Sequence, residues 1–293
     1  MNIIGHKKIV AFFDKAVAKK AISHAYIFSG PDQVGKFALA QELAKKILTQ
    51  VSIGDNLIIV QPEIERDEKK GSIKKKDITI DQIRGLQHSL SLTAGGSEHR
   101  IAIIDEADRM NNKAQNAFLK TLEEAPDGVV LILIVRDEKN ILATISSRCQ
   151  KIRFGIVADS ELQENIPSAV KNKQELIFWS MGCPGLLMNF LADDKSLDFY
   201  TGALSELKGL FFQSVSERFI VAEAMAKNIE VAVRKLNLWT LILRNIILGK
   251  SLDFKLDSVR ALRLIEKIEN EIKLLNKNNF NARLILENLF LNL

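Results

Sequence analysis

Two cysteines, Cys149 and Cys183, are too few for a disulfide framework, and they form no C-x-x-C pair of the kind a zinc ribbon needs. Aromatic residues make up only 6% of the chain, so nucleic-acid bases are not expected to stack on aromatic platforms. No apolar run is long enough to span a bilayer, and Met1-Asn2-Ile3-Ile4-Gly5-His6 lacks the apolar region of a secretory signal, so a cytoplasmic location is expected. The charge is not strongly one-sided. A formal +5 permits contact with nucleic acid without requiring it. What remains is an ordinary globular composition in a 293-residue chain, too long for one typical core, so two or three domains are expected.

One motif stands out, and it too is defined by something missing. Gly30-Pro31-Asp32-Gln33-Val34-Gly35-Lys36 fits the G-x-x-x-x-G-K phosphate loop, in which backbone N–H groups curl around phosphates and the lysine reaches the outer ones. The next residue should carry a hydroxyl for Mg²⁺, and here it is Phe37. The context suits the motif. Ala25 to Ser29 is an apolar run expected to form a buried strand, and Ala38 to Leu48 repeats apolar residues at helical spacing.

Further along, Phe12 to Ile22 reads as a short helix and Leu57 to Val60 as a strand. The segment 62–77 is crowded with charge and is expected to be a solvated loop rather than a DNA-binding patch. Asp77 to Leu92 reads as a helix. Ile101 to Ile104 reads as a buried strand ending in Asp105-Glu106, a Walker B pattern in which Asp105 would orient metal-bound water and Glu106 would polarise the attacking one. A helix over Ala114–Glu124, a strand over Val129–Val135 and a short strand near Ile152–Phe154 follow. This alternation implies α/β architecture with a parallel sheet and crossover helices. After Gly155 no strand of comparable quality is expected, only helices, the longer ones over 199–213, 215–228, 229–248, 256–276 and 282–291.

Four stretches together resemble the AAA+ subunits of the bacterial replicative clamp loader: His24–Pro31 running into Gly35-Lys36, Ile103–Asp108, Asn116–Glu124, and Ser147-Arg148-Cys149. The last two are the more specific. The resemblance implies an AAA+ P-loop domain over 1–155, a small helical lid over 156–198 and an all-helical collar, used for oligomerisation, over 199–293. The family includes a subunit that hydrolyses ATP, tau/gamma, and a stationary partner. The departures of this chain match the stationary type. Phe37 replaces a hydroxyl, Val135 and Arg136 replace a threonine pair that senses the γ-phosphate, and Gly185 in Gly182-Cys183-Pro184-Gly185 replaces a sensor arginine. Many relatives also carry a four-cysteine zinc module, but residues 51–77 hold no cysteine, so no zinc is expected. The resemblance makes Arg148 a finger for a neighbouring subunit's ATP site, since a guanidinium can bridge γ-phosphate oxygens as charge develops on them. The plainer alternative pairs Arg148 with a local carboxylate.

Three functions follow from these residues. The first is a non-hydrolysing clamp-loader subunit of the DNA polymerase III holoenzyme. It would act with tau/gamma and delta subunits to load the sliding clamp on primed DNA, and would require no cofactor. The second is an ATPase using Lys36, Asp105 and Glu106. The third is a sensor that binds ATP or ADP without turnover. In the family, helix N-termini track the DNA backbone, which makes Lys113 the first candidate contact and Arg84 the second, although both could be ordinary exposed residues.

Overall fold

The computed structural model describes residues 3–48, 53–67, 72–91, 99–193, 195–250, 254, 256–277 and 280–291. The chain divides into two compact units, Met1–Met188 and Asn189–Leu293.

In the first unit the elements run α1 (Lys7–Ala18), β1 (Ala25–Ser29), α2 (Lys36–Ile47), α3 (Ile53–Asn56), β2 (Leu57–Val60), β3 (Ile64–Asp67), β4 (Ser72–Lys75), α4 (Ile80–Ser91), β5 (Arg100–Ile104), α5 (Asn112–Glu124), β6 (Val129–Val135), α6 (Ala143–Ser146), β7 (Gln150–Arg153), α7 (Asp159–Gln163) and α8 (Lys173–Ser180). Helix α9 (Pro184–Ala192) crosses the division. Five strands form one parallel sheet in the order β2-β5-β6-β1-β7. Strands β1, β5 and β6 are buried along their whole length, as their unbroken apolar runs require of a sheet covered on both faces. Side chains alternate between two cores. Ala25, Ile27, Ala102, Ile104, Leu131 and Leu133 pack beneath α4 and α5, with Ile83, Leu86, Phe118 and Leu122. Tyr26, Phe28, Ile101, Ile103, Ile132 and Ile134 pack beneath α1 and α2, with Phe13, Leu39 and Leu43. Truncating Phe28 or Phe118, both fully buried, would destabilise the unit by about 3–5 kcal/mol.

Two sequence expectations need correction. The first helix spans Lys7–Ala18 rather than 12–22. Gly5 and His6 turn the chain with positive φ just before it, and Lys20 ends it at φ 51° with its N–H bonded to the Val17 carbonyl, so Ala21 and Ile22 belong to the connection. The charged segment 62–77 is not simply a loop. It holds an antiparallel hairpin, β3 with β4, in the register Ile64↔Lys75 and Glu65↔Lys74, and Lys76 donates to the Glu63 carbonyl at its base. The charged sequence of this segment has no apolar alternation to reveal a strand pair. Residues 68–71 of that segment lie outside the described set.

The second unit is helical among its described residues: α10 (Lys195–Leu210), α11 (Val215–Ala226), α12 (Ile229–Ile247), α13 (Ser258–Leu275) and α14 (Ala282–Leu291), with α12 packed on α13 and α11 on α14. Starts are fixed by side chains that accept from free backbone N–H groups, as helix N-termini require. Ser214 and Glu217 form a capping box on α11, Asn228 caps α12 and Asp257 caps α13. Trp239, fully buried, donates its indole N–H to the Ala203 carbonyl at 2.8 Å and lies 5.9 Å from the Phe290 ring. No helix among the described residues is long and apolar enough to cross a membrane.

Candidate nucleotide site and surface arginine

The phosphate loop leaves the end of β1, where Phe28 and Ser29 stand level with Ile134 and Val135 of β6. Gly30 has φ 142°, and a Cβ there would sit 2.2 Å from the Phe154 carbonyl oxygen, so only glycine fits. Gln33 and Gly35 also have positive φ, and Gly35 opens α2. Lys36, only 6% exposed, folds back onto its own loop and donates to the Gly30 carbonyl and, at 2.9 Å, to the Pro31 carbonyl. Burial lowers its pKa from the ordinary lysine value. Phe37 points no oxygen anywhere; its ring packs against the core under α1 and α2.

Asp105 and Glu106 end β5 as the sequence suggested, and Gly35, Lys36, Phe37, Asp105 and Glu106 line one open cavity of about 380 Å³ together with Asp32, Asp108, Lys75, Arg136 and Gly185. Nearly every charge in it is already engaged. Glu106 pairs with Lys75, delivered by β4, and with Arg109 Nε at 2.8 Å. Asp32 pairs with Arg136. Gln61 Nε2 donates to Asp105 at 3.1 Å, yet burial still raises the Asp105 carboxyl above the usual range. These ion pairs are partly exposed, so each is worth about 1 kcal/mol or less, too little to hold the site shut alone. The backbone packing is firmer. Gly185 donates its N–H to the Gln33 carbonyl at 2.8 Å, and a Cβ on it would meet Gln33 Cβ and O at 2.9 Å. The site can offer N–H groups and Lys36 to phosphates. It does not fit a loop-bound Mg²⁺, because Phe37 brings no oxygen and Glu106 is held by two cations. Among the described residues no group of three or more His, Cys, Asp or Glu side chains could hold a metal ion.

Arg148 lies outside this cavity, just after α6. Its Nη2 stands 2.8 Å from Glu123 at the end of α5, and its Nη1 donates to the Thr144 carbonyl at 3.0 Å; the side chain is 42% exposed. The local carboxylate contemplated from the sequence is thus present. Helix α5 also grips the same segment through Gln115, which is buried, donates to the Met110 and Asn140 carbonyls and accepts from the Leu142 N–H at 2.8 Å. Cys149 is buried, which pushes its thiol up to about 12. Lys113 is exposed in the first turn of α5, and Arg84 is exposed on α4, 3.7 Å from Asp81. The sequence reading missed Lys75, Arg109, Gln61 and Gln115. The first is hidden in a charge run, and the others carry no motif.

A family model described as "DNA polymerase III, delta subunit" matches residues 5–157, just over half of the chain. The chain belongs to the DNA polymerase III delta subunit family. Its relatives include the replication factor C small subunit of Natronomonas pharaonis, 30% identical over 165 residues, covering 56% of this chain and 47% of that protein. DNA polymerase III subunit tau of Bacillus subtilis is 30% identical over 172 residues, covering 52% of this chain and 28% of the relative. The chain therefore spans less than half the length of these relatives. In fold, it is similar to a DNA polymerase III gamma subunit-related protein from Thermotoga maritima, with a TM-score of 0.56 at 17% identity over 95% of this chain and 97% of that one. The likeness is one of fold, a parallel sheet with flanking helices followed by further helices.

Proposed function

We propose that this chain is the delta prime type of clamp-loader subunit. It does not turn over ATP, completes a ring with tau/gamma and delta subunits, and supplies Arg148 to a neighbouring tau/gamma site while the sliding clamp is loaded on primed DNA. In this reading residues 1–155 form the AAA+ domain, 156–198 the lid and 199–293 the collar, and the protein works in the cytoplasm. The observation that carries it is a contrast. The chain's own site lacks the hydroxyl at Phe37 and any charge at Gly185, and its Glu106 is paired with Lys75 and Arg109. The trans-acting arginine is kept at the surface. A site without metal ligand and sensor charge loses the stabilisation on which phosphoryl transfer depends.

The test is ATP turnover on primed DNA with the clamp present. The chain alone should be silent, and the tau/gamma–delta assembly containing it should be stimulated in an Arg148-dependent way. Turnover by the chain alone, lost in Lys36→Ala, would make it an ATPase. Tight nucleotide binding by the chain without turnover would make it a sensor. Lys113, followed by Arg84, is the proposed DNA contact. Lys113→Ala should reduce the slope of log affinity against log salt by about one. An unchanged slope would exclude it.

A further inference from the structure

Arg148 and Glu123 lie 25 positions apart in sequence, yet the structure brings them to 2.8 Å. A long arginine on a surface ordinarily samples many rotamers, and a reaction that needs it in one place loses rate to that disorder. Here two contacts fix the guanidinium. Nη1 donates to the Thr144 carbonyl one turn back, and Nη2 meets the Glu123 carboxylate. The segment beneath is tied to α5 at both ends. Gln115, buried, ties the start of α5 to the Leu142 N–H at the mouth of α6, while Glu123 closes the far end of α5 onto Arg148 itself. The adjacent carboxylate is used differently, because Glu124 pairs with Lys120 of its own helix at 3.7 Å. The two neighbouring glutamates therefore have separate partners, and only one of them touches the arginine.

We propose that Glu123 is a positioning residue for Arg148, holding the guanidinium in a preset orientation from which its remaining N–H groups reach a phosphate of a neighbouring subunit. This rests on the proposed trans role of Arg148. An exposed pair of this kind has a small effect, so its removal alters a rate by about two- to fivefold, far below the loss of the finger itself. Because the arginine acts on charge that develops in the transition state, the change belongs in kcat rather than in KM for ATP. Salt should weaken the benefit, since the pair is open to solvent.

The experiment uses the full assembly of this chain with tau/gamma and delta subunits, clamp and primed DNA, and reads kcat and KM for ATP at low and high salt. Glu123→Gln should lower kcat about two- to fivefold at low salt, with KM within about twofold and a smaller deficit at high salt. Glu123→Asp, which keeps the charge, should recover much of the rate. Glu124→Gln, the same charge change one residue on, should match the wild type. The inference is overturned if Arg148→Ala loses stimulation while Glu123→Gln equals or exceeds the wild type, or if Glu124→Gln falls as far as Glu123→Gln. Should Arg148→Ala keep full stimulation, the trans-arginine reading fails, and the role of Glu123 with it.

Discussion

Gly185→Ala is expected to destabilise the first unit, although a glycine-to-alanine change inside a helix ordinarily stabilises. Gly185 stands at the second position of α9 with no positive φ, and the substitution would normally gain up to about 1 kcal/mol from backbone entropy. Here the new methyl would stand 2.9 Å from both the Cβ and the carbonyl oxygen of Gln33, and 3.2 Å from its Cα. These are atoms of, or next to, the backbone of the phosphate loop. They cannot swing aside as a flexible side chain would, and relieving such overpacking costs about 1–3 kcal/mol. The relief also stretches the 2.8 Å hydrogen bond from the Gly185 N–H to Gln33, worth about 1 kcal/mol more. Taken together these leave a net loss of about 1–3 kcal/mol, or a fall of about 2–10 °C in the melting temperature of a unit this size. Thermal and urea denaturation of the full chain, followed by circular dichroism, reads it directly. A Gly185→Ala protein as stable as the wild type, or more so, would show that α9 does not press on the loop and would refute the reasoning.

Gln115→Ala should destabilise by about 1–3 kcal/mol in urea denaturation, because it strands the buried Met110 carbonyl and the half-buried Leu142 N–H; a loss below about 0.5 kcal/mol would contradict that network. Cys149, with its thiol pushed up to about 12, should resist alkylation in the native protein at pH 8, where only about one in ten thousand molecules carries the thiolate, and should react fully once unfolded. Native labelling of Cys149 at the rate of a free thiol would count against its burial. Glu138 accepts from Ser29 at 2.9 Å and pairs with Lys151 and Arg153, and these contacts, Ser29 first, lower its pKa. A carboxyl lowered in the folded state stabilises above its unfolded pKa and loses that contribution as pH falls through the folded one. The melting-temperature gap between wild type and Glu138→Gln should therefore be fully open at pH 6 and close as pH drops below about 4.5; a gap independent of pH would contradict the assignment.

The legible parts of this molecule were those whose sequence pattern is also their packing. Strands β1, β5 and β6 are apolar but for Ser29 and Arg100 at their ends because both of their faces are covered, and their limits agree with the sequence to within a residue. Gly35-Lys36 and Asp105-Glu106 fall where the motifs put them, after β1 and β5, the two strands that flank β6, and around one cavity. Less legible were features made by partners distant in sequence. Lys75 reaches Glu106 across 31 positions, and only the unforeseen hairpin brings it there. Arg136 is legible as a departure from the family pattern, but its pairing with Asp32 needs the register of β1 against β6. Gly185 stands where the resemblance puts a sensor arginine; its contact with Gln33 explains why the residue must also be small.

The seating of Gly185 on the phosphate loop bears on how such a chain can change over generations. A single substitution of Phe37 by threonine would bring a hydroxyl, but it would also remove a ring from the core under α1 and α2. An arginine at 185 would collide with Gln33 unless the loop moved first. Glu106 would stay bound to Lys75 and Arg109 through either change. On the proposed reading, each step toward a hydrolysing site is thus unfavourable or without benefit on its own, and only several together could be selected. Packing of this kind acts as a ratchet: once small residues and local ion pairs interlock around such a loop, drift can elaborate the arrangement far more readily than it can undo it.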